Sequence, residues 1–106
     1  MIIVKETNTT TWLQGQIVDD NLEFTLVELS RASGATEDEL TLWVAEGVCE
    51  PVGTQPEEWR FSGTALRRAR TAQRLTHGLQ INAPGVALAL DLLDEIAALR
   101  ARVKRR

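Results

Sequence analysis

From Phe24 onward, apolar residues recur at helical spacing, interrupted by one short extended stretch. Thr25 and Glu28 form a Thr-x-x-Glu capping box at the head of Leu26-Val27-Glu28-Leu29, and Thr36 with Glu39 repeats it before Leu40, Trp43 and Val44. Gly34 between them supplies a turn. Gly47 stands where a helix end needs a left-handed residue, and Pro51 prevents the next segment from resuming the helix. Two helices joined by so short a turn have the spacing of a helix-turn-helix. Val48-Cys49-Glu50-Pro51-Val52 and Glu58-Trp59-Arg60-Phe61 then flank Gly53-Thr54-Gln55-Pro56, which predicts a small β-hairpin, the wing of a winged helix.

Ser62 is the expected cap of a third helix. Ala65, Leu66, Ala69, Ala72, Leu75 and Leu79 line one of its faces, and Arg67, Arg68, Arg70, Gln73 and Arg74 the other. Asn82 and Pro84 open a last helix over 83–104, where Ala89, Leu92, Ile96, Leu99 and Val103 follow a 3,4,3,4 spacing. Leu88, Leu90 and Leu93 widen that apolar face beyond what a small domain covers, which calls for a partner helix, either the third helix or a second chain; the five-residue seam is expected to dimerise. Residues 1–23 read as an N-terminal extension, with Ile2-Ile3-Val4 a short strand, 9–13 another extended piece, and Gly15 and Asp19-Asp20-Asn21 as turns. Residues 24–106 read as a single domain: mainly α, a winged helix-turn-helix with a small wing and a long C-terminal helix.

Charge changes this picture more than composition does. The net charge of −3 conceals Lys5 and Arg31 against twelve acids in residues 1–59, then ten bases against Asp91, Asp94 and Glu95 in the remainder. In a helix-turn-helix the second helix enters the major groove with its N-terminal residues on bases and phosphates. Here those residues are Glu37, Asp38 and Glu39, with Glu46 further along. A polyanion would be repelled, so the scaffold is retained while its groove-reading use is lost. Carboxylates near a helix N-terminus are also favoured by the helix dipole, each by ~0.3–1 kcal/mol, so the acids have a purely structural reading as well.

The order helix-turn-helix, wing, arginine-bearing helix and long dimerisation helix resembles the MerR family of regulators. Phe24-Thr25-Leu26-x-Glu28-Leu29, Gly34, Leu40, Glu46-Gly47-Val48, Pro51 and Trp59-Arg60-Phe61 carry the likeness. Arg74-Leu75-x-x-x-Leu79, followed by 84–96 (PGVALALDLLDEI), is similar to its chaperone-modulator branch, the CbpM family. That resemblance implies a non-enzymatic modulator that binds the J-domain of CbpA, a DnaJ-type co-chaperone, and inhibits its co-chaperone action and DNA binding. J-domains carry a basic helix, so the implied partner-binding residues are Glu37, Asp38, Glu39 and Glu46. The rival reading is a MerR-like DNA-binding regulator that uses Arg67, Arg70 and Arg74 with the wing. A third is a self-assembly adaptor.

Other chemistry is sparse. His77 and Cys49, the only residues of their kinds, cannot complete a metal site, and no nucleophile–base pattern or phosphate-binding glycine loop occurs. No cofactor, metal or catalytic residue is expected. Cys49 reads as a small core residue, His77 as a surface or locally bonded group, Trp43 as core, and Trp59 either as a core or hairpin anchor or as exposed on the wing. The single cysteine, the lack of a signal-like start and the lack of a membrane-length apolar run make the cytoplasm the expected location.

Overall fold

The computed structural model describes residues 10–13, 16–19 and 22–105. Strands β1 (Thr10–Leu13) and β2 (Gln16–Asp19) pair antiparallel, with Trp12 opposite Ile17. Four α-helices follow: α1 (Leu26–Ser33), α2 (Glu37–Ala45), α3 (Gly63–Gly78) and α4 (Ala83–Lys104). The proposed strand at Ile2-Ile3-Val4 lies outside the described residues. The piece at 10–13 is a strand, whereas 16–19 was not expected to be one.

Local chemistry sets the helix ends. Thr25 N–H donates to Glu28 Oε1 at 2.8 Å while Thr25 Oγ1 accepts from Glu28 N–H at 3.2 Å, and Thr36 and Glu39 reproduce the pair at 3.0 and 3.1 Å. Gly34, at φ 82°, closes α1 by donating to the Ser30 carbonyl. At the end of α2, Val48 N–H reaches the Trp43 carbonyl (2.8 Å) and Gly47 N–H the Val44 carbonyl (3.1 Å), a Schellman ending with Gly47 at φ 82°. Asn82 Oδ1 accepts from Gly85 N–H to start α4.

The wing differs from expectation. Between α2 and α3 the only ladder pairing is one bridge, Val52 with Arg60, and no strand forms there. Toward the turn, Pro56–Glu58 coils into a 3-10 helix and Glu58 N–H is taken by the Gln55 carbonyl. Toward the outside, Ser62 already begins α3, its carbonyl accepting from Leu66 N–H. Phe61 bonds Phe24 through both backbone groups (2.8 Å each), on the side facing away from Val52. Of the two readings of Trp59 the anchor holds: it is 9% accessible and meets the Phe61 ring edge-on, centroids 5.9 Å apart.

One core joins the four helices. Phe24, Leu29, Leu40, Trp43, Val48, Phe61, Leu66 and Val86 are fully buried, with Ala65, Ala69 and Ala72 letting α3 approach closely. Cys49 is buried too, and burial pushes its thiol up to about 11, against the opposing effect of Arg68. Only the first turns of α4 reach this core, through Val86 and Leu90. From Asp91 to Arg105 every residue is exposed.

Candidate partner-binding surface

The first turn of α2 does not present its three acids alike. Glu37 and Asp38 are exposed. Glu39 turns inward, with Oε1 in the capping box and Oε2 2.7 Å from His77 Nε2 on α3. Partial burial works against the charged form of Glu39, yet the Thr36 backbone N–H and His77 outweigh it and hold the carboxyl below its ordinary value. Glu46 is exposed at the opposite end of the helix. At about 100° per residue, Glu37 and Glu46 point to opposite sides, whereas Asp38, Leu42 and Glu46 form an i, i+4, i+8 row. Leu42 is 50% exposed in the middle of that row. The sequence named its two flanking acids and missed Leu42, whose exposure depends on where the core lies.

The arginines of α3 serve the fold. Arg68, 18% exposed, donates Nε to the Val48 carbonyl and Nη1 to Asp94, with Nη2 3.6 Å from Asp91. It brackets the turn after α2 to α4 beside a cleft of about 410 Å³ that Glu50 and Thr64 also line. Arg70 donates to the Ala32 carbonyl at 3.2 Å, and Gln73 to that of Gly34 at 2.9 Å, so α3 satisfies the end of α1. Burial lowers the Arg70 pKa. Arg67 and Arg74 donate to Thr64 and Thr71 one helical turn back.

On α4 the predicted seam divides. Ala89 is half-buried, while Leu92, Ile96, Leu99 and Val103, with Leu88 beside them, are between 43% and 71% exposed. This stripe lies well around the helix from Val86 and Leu90, so α4 has one face for its own core and another uncovered by this chain. Arg100, Arg102, Lys104 and Arg105 cluster at its end, where the helix dipole favours cations. Among the described residues no group of three His, Cys, Asp or Glu could hold a metal ion, and no helix is long and apolar enough to cross a membrane.

Comparison with known proteins agrees with this architecture. The MerR HTH family regulatory protein model matches residues 24–105. Chaperone modulatory protein CbpM of Coxiella burnetii (strain Dugway 5J108-111) is 35% identical over 92 residues, 87% of each chain. Its namesake from Escherichia coli O1:K1 is 40% identical over 77 residues, 73% of this chain and 76% of the relative. With a helix-turn-helix whose second helix begins in acids and a long final helix half free of its own core, the chain belongs to the CbpM family of chaperone modulators, within the MerR-type helix-turn-helix proteins.

Proposed function

We propose that this protein is a non-enzymatic modulator that binds the J-domain of a CbpA/DnaJ-type co-chaperone and inhibits its co-chaperone and DNA-binding activities. The observation that carries the reading is the exposed Asp38–Leu42–Glu46 row, with Glu37 beside it, on the helix a DNA-binding relative would lay in the groove. Carboxylates flanking an exposed leucine suit a basic, amphipathic protein helix and repel phosphates. Glu39 supports the row by fixing the first turn of α2. The DNA-reading alternative loses force because Arg67, Arg68, Arg70 and Arg74 are all hydrogen-bonded within the chain. The decisive experiment measures Hsp70 ATPase stimulation by a CbpA-type protein with and without an excess of this chain. Suppressed stimulation, with J-domain binding by calorimetry, supports the reading. Unchanged stimulation without binding, or salt-sensitive DNA binding instead, would replace it.

The same reading takes the protein as a homodimer joined through α4. Ala89, Leu92, Ile96, Leu99 and Val103 supply the seam, and closed two-fold pairs are the commonest symmetric solution. An antiparallel arrangement sets the acidic turn 91–95 of one copy beside the basic turn 100–105 of the other. The protein is placed in the cytoplasm.

A further inference from the structure

The uncovered part of α4 is symmetric about its own middle. The stretch without core contacts runs from Asp91 to Lys104, and its centre falls between Ala97 and Ala98. Folding the stripe back on itself about that point sets Leu92 opposite Val103 and Ile96 opposite Leu99. No other centring keeps these pairs and also stops where each copy's own core begins. The same operation governs the flanks. Glu95 and Arg102 are seven residues apart, two helical turns, and therefore lie on one side of the stripe. In an isologous antiparallel pair that side meets its own copy. Neither side chain has an ion-pair partner among the described residues.

Resting on the dimer reading above, we propose that Glu95 of each copy pairs with Arg102 of the other, and that these two symmetric ion pairs fix the register of the α4 contact. The occupant of the stripe is a second copy of this chain. Asp91 and Arg105 lie on the same flank one turn farther out and add to the attraction, although Asp91 also stands 3.6 Å from Arg68 of its own chain. Parallel helices would bring Glu95 to Arg100 of the partner instead, because parallel pairs join a residue to one five positions on in its neighbour.

Sedimentation of the full chain tests this with a double-mutant cycle. The dimer constant of E95R and of R102E should each weaken about tenfold, since each change turns two attractions into repulsions. The E95R/R102E chain should return to within about threefold of the parent, while E95R/R100E should not recover. Helical circular dichroism of each variant reports that the monomer still folds, since both positions are exposed. Added salt should weaken the parent and leave E95A/R102A less affected. Independent effects of the two substitutions, or recovery through Arg100, overturn the register while leaving a dimer. A parent that sediments as a monomer at every concentration overturns the dimer reading itself.

Discussion

His77 and Glu39 stand 38 positions apart in the chain, yet Nε2 of the one lies 2.7 Å from Oε2 of the other. The contact joins the last turn of α3 to the first turn of α2, and the Glu39 carboxylate also serves the N-cap of its own helix. A single side chain thus serves both the cap of the acidic helix and its contact with α3.

Acid should expose this dependence. Glu28 and Glu39 both titrate below their ordinary value of 4.5 in the folded chain, Glu28 chiefly through the Thr25 backbone N–H. A depressed folded-state pKa contributes stability above the unfolded value, and that contribution disappears as pH falls through the folded one. Glu39→Gln keeps a capping-box side chain but cannot lose a charge. Melting temperatures of the parent and E39Q should differ near neutrality and converge in acid, as pH falls below 4.5 and through the lowered folded-state value. A gap that stays constant through acid would refute the linkage.

Gly47 and Gly53, two of the three described glycines at positive φ, separate backbone strain from crowding. A Cβ on Gly47 meets nothing within 4 Å, so Gly47→Ala should cost only the left-handed penalty, about 1–2 kcal/mol. A Cβ on Gly53 falls 2.8 Å from the Glu58 carbonyl oxygen, so Gly53→Ala should cost more. Urea midpoints rank the two variants, and equal midpoints would count against this geometry.

Core and stripe should answer differently to truncation. Leu40→Ala empties a fully buried position and should destabilise the fold by about 2–5 kcal/mol. Replacing Ile96 and Leu99 with lysine should dissociate the dimer and leave a folded monomer, because Val86 and Leu90 still seat α4. Sedimentation with circular dichroism decides it. An unfolded lysine variant would show that the stripe is needed to fold the monomer.

Partner binding should divide along the α2 row. Reversing Asp38 and Glu46 to lysine should slow J-domain association, because opposite charges steer encounter. Leu42→Ala should instead speed dissociation, about tenfold for an apolar contact worth 1–2 kcal/mol. Stopped-flow traces for both variants separate the two effects. Unaltered kinetics in both would move the contact surface elsewhere.

What could be read from the sequence was largely local. Both capping boxes, the Gly47 ending, the Asn82 cap and the bounds of α4 depend on residues a few positions apart, and each stands as expected. The wing failed because a 3-10 turn takes the Glu58 N–H on one side of the Val52–Arg60 bridge and Ser62 already begins α3 on the other. Strand β2 was hidden by Asp19, read as part of a turn. Arg68 looked like one of several surface arginines, and only packing reveals that it holds three segments together. At the acidic site the sequence supplied the charges but not Leu42, nor the inward turn of Glu39.

The Arg68 bracket grips α4 at Asp91 and Asp94, near the middle of the helix, and on its other side grips the carbonyl of Val48 just beyond α2. Everything past that grip is an arm of roughly 15–20 Å at 1.5 Å per residue. A lever magnifies small rotations at its fulcrum: a tilt of about 10° at Arg68 sweeps the tip by about 3 Å, near half a helical turn. The fulcrum adjoins the end of the acidic helix, so a tilt of α4 about Arg68 would displace its far end more than the part beside Val48.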